Sequence, residues 1–154
     1  MRIIGIDPGK KGGFAWVDLG AQPGNGLMTI SVMPDSIHDL AEVVLLMVAS
    51  QPEGEPVAYL EKLHALPHHL RGSIATATLM ENYGAIQGVL AAFKVRTILV
   101  LPSIWQREMG LLKKQKKDHK AEIQRRRPDM PWTVDNSDAG LLCEYGIRQE
   151  RGER

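Results

Sequence analysis

The sequence predicts an α/β fold built on a five-stranded mixed sheet flanked by helices, and three observations carry that expectation. Short runs rich in β-branched residues alternate with longer segments of helical period. The first three short runs follow one another through turn-forming residues, whereas the later ones are separated by helical stretches long enough for parallel crossovers. At 154 residues, 44% of them hydrophobic, the chain can bury one core but not two, so it is read as a single domain over 1–154.

Arg2 to Asp7 reads as a buried strand, rich in isoleucine and stopped by Pro8-Gly9. Phe14 to Leu19 is its hairpin partner, and Leu27 to Met33 is a third strand after the turn Pro23-Gly24-Asn25-Gly26. Asp35 or Ser36 caps a helix that carries Leu40, Val43, Val44 and Met47 and is closed by Pro52 to Pro56. Val57 to Glu61 is the fourth strand, Ser73 to Phe93 a long helix, and Thr97 to Leu101 the fifth strand, bounded by Pro102. Ser103 to Met109 forms a short helix. Gly110 and the lysines after it predict a mobile loop, followed by a short helix near Lys120 to Arg126 that Pro128 and Pro131 end. The last helix runs from about Asp135 to Gln149, where Ala139, Leu142, Cys143 and Gly146 recur at helical spacing.

Composition narrows the function classes. The single cysteine, Cys143, excludes an internal disulfide and a cysteine-based metal cluster and suits a reducing compartment, so a cytoplasmic setting is expected. The longest apolar run, Val43 to Ala49, is far short of the roughly 18 residues a membrane helix needs, so neither a membrane span nor an export segment is expected. The net charge of +1 hides an uneven distribution. Between Arg107 and Arg127 nine basic residues stand against three acids, which leaves the remainder of the chain acidic. One concentrated basic segment in a near-neutral protein suits a polyanion bound at one place, although a solvated helix face would have the same composition.

Four acids can be placed from this outline. Asp7 and Glu61 end the first and fourth strands, which a helical crossover makes parallel; neighbouring strands lie about 4.8 Å apart. Asp135 and Asp138, spaced i and i+3 at the start of the last helix, share a face of it. Each has an ordinary explanation as well: Asp7-Pro8-Gly9 makes a turn, Glu61 is a polar strand end, and the aspartates suit a helix N-terminus. Gathered together, however, four carboxylates repel one another unless a cation offsets them. Magnesium is the natural cation, since it prefers oxygen ligands and in pairs clamps a phosphodiester during in-line displacement.

Five segments, in order along the chain, carry a family resemblance: Ile4-Gly5-Ile6-Asp7-Pro8-Gly9, Tyr59-Leu60-Glu61, Glu81-Asn82-Tyr83-Gly84-Ala85-Ile86-Gln87-Gly88, Pro102-Ser103-Ile104-Trp105-Gln106 and Asp135-Asn136-Ser137-Asp138-Ala139. With them the chain resembles the RuvC-like Holliday junction resolvases of the RNase H-like superfamily, and its compact length and Trp105 segment look more like the phage-type branch. The resemblance implies a homodimer that nicks two strands of a four-way DNA junction with Mg²⁺ (two ions, Mn²⁺ as a substitute) and no small-molecule cofactor. It implies Asp7, Glu61, Asp135 and Asp138 as metal ligands; Asp7, central in the sheet, is the candidate for bridging both ions. Lys117, followed by Lys120, falls where the family has a lysine near the scissile phosphate, in competition with Lys113, Lys114 and Lys116.

Further expectations come partly from the resemblance, which supplies the wedge offset and the dimer face, and partly from the residues themselves. His64 occupies the offset of an aromatic wedge, with Leu66 as the alternative. Lys10, Lys11, Lys62 and Arg71 join the basic segment as phosphate contacts, which predicts a steep salt dependence. His64, His68 and His69 are not expected to form a metal site, because Pro67 breaks their helical spacing. Gly84 and Gly88, among Ala77, Ala85, Ala91 and Ala92, allow close helix approach, either to the chain's own sheet or across a dimer interface. Trp105 is expected in the core, and Trp132 either at the mouth of the site or beneath the last helix. Two other functions fit the same residues: a general RNase H-like nuclease acting on flaps or RNA–DNA hybrids, and a junction-binding module without catalysis.

Overall fold

The structure, a computed structural model, describes residues 1–20, 26–49, 54–63 and 73–153. At its centre is β1 (Arg2–Asp7), whose six residues are all buried. That explains its unbroken apolar run, because a strand covered on both faces has no polar side. β2 (Gly13–Asp18) returns antiparallel, setting Asp7 opposite Gly13 and Arg2 opposite Asp18. The Arg2 guanidinium closes the far end of this hairpin on the Asp18 carboxylate at 2.6 and 2.7 Å.

β3 (Thr29–Val32) pairs antiparallel with β2 and forms one sheet edge. It is shorter than the expected Leu27 to Met33, because only Thr29 to Val32 lie opposite β2 residues; Leu27, outside the ladder, is 85% exposed. α1 (Ile37–Ala49) begins after Ser36, whose hydroxyl accepts the Asp39 amide at 3.1 Å. β4 (Val57–Glu61) lies parallel to β1 on its other side, and β5 (Arg96–Val100), reached through α2 (Ser73–Ala92), lies parallel to β4. The sheet order is therefore β3-β2-β1-β4-β5, a five-stranded mixed sheet. α3 (Pro102–Glu108), α4 (Lys116–Arg126) and α5 (Ser137–Arg151) complete the fold. No helix among the described residues is long and apolar enough to cross a membrane.

Strand parity divides the interior into two layers. Ile4, Ile6, Phe14, Ala58 and Leu60 pack with Leu40, Val44 and Met47 of α1 and Ile86 and Leu90 of α2. The alternate residues Ile3, Ala15, Val17, Val57 and Tyr59 pack with Trp105, Ile123, Leu141, Leu142 and Cys143, on the side covered by α3, α4 and α5. α5 is the middle of this second layer, and every residue from Ser137 to Ile147 is buried. It can lie against β1 because Gly5 has no side chain: a Cβ there would sit 2.2 Å from the Ala139 carbonyl oxygen and 2.2 Å from the Cys143 nitrogen.

Two expectations about the last third of the chain are corrected. The lysine-rich stretch is not a loop as far as Lys120, because α4 starts at Lys116. Gln115 and Asp118 make a reciprocal capping box, with the Gln115 amide donating to Asp118 Oδ2 at 3.0 Å. The lysines that remain outside it, Lys113 and Lys114, belong to a turn containing two left-handed residues, Gly110 (φ 73°) and Lys113 (φ 63°). α5, in turn, starts at Ser137 and not at Asp135. Thr133 and Asn136 bond each other's backbone amides, at 2.8 and 3.2 Å, and this turn holds Asp135 off the helix. Asp135 and Asp138 therefore do not share a helix face. The expected residues 21–25, 50–53 and 64–72, which include Pro23, Pro52, His64, Leu66, Pro67, His68, His69 and Arg71, lie outside the described residues.

Candidate active site

Parity and register fix the first two acids. Asp7 has the parity of Ile3 and Gly5, and Glu61 that of Val57 and Tyr59, so both belong to the face covered by α5. β1 and β4 are parallel with Ile6 opposite Leu60, which sets Asp7 and Glu61 level at the carboxyl ends of adjacent strands. The close crossing of α5 at Gly5 brings Asp138, in its first turn, to the same place. Ligand sites of open α/β sheets usually form at this end of the strands.

Three carboxylates from distant segments thus share one neighbourhood, and a lysine joins them. Lys116, the first residue of α4, donates from Nζ to Asp138 Oδ2 at 2.5 Å and to Asp7 Oδ2 at 3.5 Å. Asp7 Oδ1 accepts the Gly9 amide at 3.1 Å. Asp138 Oδ1 pairs with His119 Nδ1 at 2.7 Å, one helical turn along α4 from Lys116. Glu61 Oε2 accepts the indole N–H of Trp105 at 2.9 Å.

The electrostatics follow from burial and crowding. Burial raises the Asp7 pKa above the usual carboxylate value, the neighbouring Asp138 adds to the rise, and Lys116 opposes it. Glu61 is pushed up to about 7, first by burial and then by the charge of Asp7, with the Trp105 hydrogen bond pulling the other way. For Asp138 burial also favours the neutral acid, but the bonds from His119 and Lys116 outweigh it and lower the pKa. Burial would lower Lys116, yet Asp7 and Asp138 hold its pKa above the ordinary lysine value. The site is a set of acids arranged around a cation that the protein itself supplies.

Two clefts flank Asp7 and have it and Gly9 in common. One, of about 500 Å³, runs past Glu61 and Lys10 to a wall of Leu63, Ala75, Thr78, Leu79 and Asn82. The other, of about 280 Å³, passes Lys116 to Lys11 and Asp135. Asp135 therefore stands exposed on the rim, apart from the hydrogen-bonded cluster. Among the described residues, no group of three or more His, Cys, Asp or Glu side chains is already drawn together as a metal shell. Lys116 takes the position between Asp7 and Asp138.

Of the remaining basic candidates, Lys10 and Lys11 line these clefts. Lys10, Lys11, Lys62, Lys113, Lys114 and Lys117 are exposed, and Lys120 is half-buried. Geometry singles out Lys116, and not Lys117, as the lysine in hydrogen-bond reach of the acids. Sequence reasoning did not single out His119 or the Trp105 bond to Glu61. The i, i+3 spacing of Lys116 and His119 was the available signal, obscured by the loop assigned to that stretch. Trp132 lies beneath the last helix, its ring 2.4 Å from where a Cβ on Gly140 would be. Gly84 and Gly88 are exposed with open space around their Cβ positions, so they do not pack on the chain's own sheet.

No protein-family model and no curated protein matches the sequence. Solved structures do. The chain is similar to the Thermus thermophilus RuvC structure at 13% identity and a TM-score of 0.66, over 99% of this chain and 98% of that one. It is also similar to T. thermophilus RuvC in complex with Holliday junction substrate, at 14% identity and a TM-score of 0.69, over 99% of this chain and 96% of that one. The chain has the RuvC fold, the RNase H-like α/β architecture that its sequence motifs predicted.

Proposed function

We propose that this protein is a structure-specific DNA endonuclease of the RuvC type, which resolves four-way junctions by metal-dependent paired nicks. The observation that carries the reading is the convergence at the carboxyl end of β1 and β4 of Asp7 and Glu61, which line one cleft, and of Asp138, joined to Asp7 through Lys116 of the basic helix α4. A cluster of oxygen donors that already holds an ammonium group between two of its members suits a hard divalent cation. Asp7, Glu61 and Asp138 would hold magnesium, or manganese in its place, with Asp135 available from the rim. A pair of such ions supplies an activated water and stabilises the leaving oxygen.

The chain's own residues do the rest. Lys116, which lines the smaller cleft beside Asp7, would offset the charge that builds up on a phosphate laid there. Lys10, Lys11, Lys62, Lys113, Lys114, Lys117 and Lys120 contact the DNA backbone outside the groove, so affinity falls steeply with salt. A four-way junction has two equivalent strands to cut, which a two-fold dimer matches with two active sites. The open stripe of Ala77, Gly84, Gly88 and Ala91 on α2 supports that helix as the dimer contact.

The test is a labelled four-way junction incubated with Mg²⁺ and run on a denaturing gel. Wild type should give paired, symmetric nicks and Asp7→Asn should bind the junction without cutting it. Binding without nicks by wild type, or nicking by Asp7→Asn at the wild-type rate, would overturn the assignment. Flap, linear and RNA–DNA hybrid substrates in the same panel separate a resolvase from a general nuclease.

A further inference from the structure

Trp105 and His119 belong to the buried layer, at 0% and 3% exposure, and neither is at the surface of the groove. Their rings meet edge to face, with centroids 5.6 Å apart and planes at 75°. Each ring uses one nitrogen on an acid of the site: Trp105 Nε1 on Glu61 Oε2 at 2.9 Å, and His119 Nδ1 on Asp138 Oδ1 at 2.7 Å. A continuous path of two hydrogen bonds and one ring contact therefore runs behind the groove from the carboxylate on β4 to the carboxylate on α5.

We propose that Trp105 and His119 are positioning residues, a buried two-ring brace that fixes Glu61 and Asp138 relative to each other. The inference rests on the nuclease reading above and goes beyond it by assigning two residues that touch neither DNA nor reacting atoms. Ordinary core packing does not account for the pair. A buried indole needs a hydrogen-bond acceptor, and Trp132 in the same layer meets that need with a backbone carbonyl, that of Arg127, at 2.9 Å. Trp105 is bonded instead to an ionisable side chain of the groove. Among the described residues His119 Nε2 is buried without a partner, a cost that an apolar residue in the same space would not incur.

The brace also fixes which oxygen of each acid is left for partners other than the two rings. His119 holds Asp138 by Oδ1 and leaves Oδ2, the oxygen bonded to Lys116, directed toward Asp7. Trp105 holds Glu61 by Oε2. Each acid is thereby presented in one orientation before any cation arrives. Partners of this kind fix ligand geometry, and their loss typically weakens metal binding about 10- to 100-fold.

The substitutions Trp105→Phe, His119→Gln and His119→Asn test this. Phenylalanine keeps a ring but loses the indole N–H. Asparagine places an amide N–H where Nδ1 was, whereas glutamine places it beyond. Mn²⁺ is titrated calorimetrically into each DNA-free protein, and the Mn²⁺ concentration for half-maximal nicking of a four-way junction is measured alongside junction affinity and melting temperature. Trp105→Phe and His119→Gln should bind Mn²⁺ about tenfold or more weakly with junction affinity nearly unchanged, and His119→Asn should recover most of the loss. Because the two His119 variants lose the same ring contact, their difference isolates the hydrogen bond even if Trp105→Phe fails to fold. Equal Mn²⁺ affinity in His119→Gln and His119→Asn overturns the proposal while leaving the nuclease reading intact. A wild-type protein that neither binds Mn²⁺ nor nicks junctions removes the nuclease reading itself, and the brace with it.

Discussion

Replacing Glu61 by glutamine isolates the electrostatic cost of collecting acids in this groove. Glutamine keeps the length of the side chain and an oxygen for the Trp105 indole, but it cannot ionise. In the metal-free protein Glu61 titrates near 7 against an ordinary value of 4.5, because it is buried beside Asp7. The folded state therefore holds more protons than the unfolded chain between those two values, and its stability falls as pH rises across that window. Below 4.5 the carboxyl is neutral in both states, and above 7 the penalty is complete. At ~1.36 kcal/mol per pKa unit the penalty reaches at most about 3 kcal/mol, a large part of the roughly 5–15 kcal/mol that holds a domain together. Urea denaturation in EDTA at pH 5, 6, 7 and 8, wild type minus Glu61→Gln, reads it directly. Subtraction cancels the groups that do not interact with Glu61, whereas the mutual repulsion of Glu61 with Asp7 and Asp138 is part of the difference being read. The variant should gain about 2 to 3 kcal/mol on wild type from pH 5 to pH 8. A flat difference curve refutes the reasoning, since it would mean that Glu61 ionises as freely in the fold as in water.

Other perturbations probe the site from different sides. Nicking by wild type at subsaturating Mg²⁺ should strengthen as pH rises toward 7, because the cation must displace the Glu61 proton; a rate that declines over that range contradicts the assignment. Lys116→Ala should slow single-turnover cleavage of bound junction more than it weakens binding, whereas Lys117→Ala should lower affinity and shallow its salt dependence with little change in rate. Gly5→Ala forces a methyl group into the backbone of α5, with contacts of 2.2 Å, and should cost about 3 kcal/mol or more in urea denaturation, with loss of nicking as Asp138 is displaced. Asp118→Ala opens the capping box of α4 and should cost about 1 kcal/mol, with faster amide exchange at the first turn that carries Lys116 and His119.

What was legible in the sequence is what period and punctuation encode. The isoleucines before Pro8-Gly9 marked a buried strand, and the positions of Asp7 and Glu61 at the ends of two parallel strands placed both at one edge of the sheet; their common face needed the register of the pairing. The start of α4 was not legible as a helix, because Gln115 is not a common cap and five lysines in a short span read as a solvated loop. Its Gln-Lys-Lys-Asp pattern is nonetheless a capping box in amide form. Asp135 looked helical because Asp138 follows it by three residues, yet the exchange of bonds between Thr133 and Asn136 claims that stretch for a turn. The bond from Trp105 to Glu61 joins residues 44 apart, and no local pattern announces a contact of that kind.

The burial of α5 against β1 bears on how the candidate site is assembled. Asp7 and Glu61 can be brought level by strand pairing alone, but Asp138 reaches them only when α5 settles over Gly5. Contacts so remote in sequence are the slow ones to form, because loop closure must precede any reward. A chain that has collapsed around the sheet without that helix exposes the apolar residues Ile3 and Tyr59, which attract other chains, and it lacks one of the three acids. On the proposed reading, the full set of acids would then be assembled in the same step that hides the sticky face.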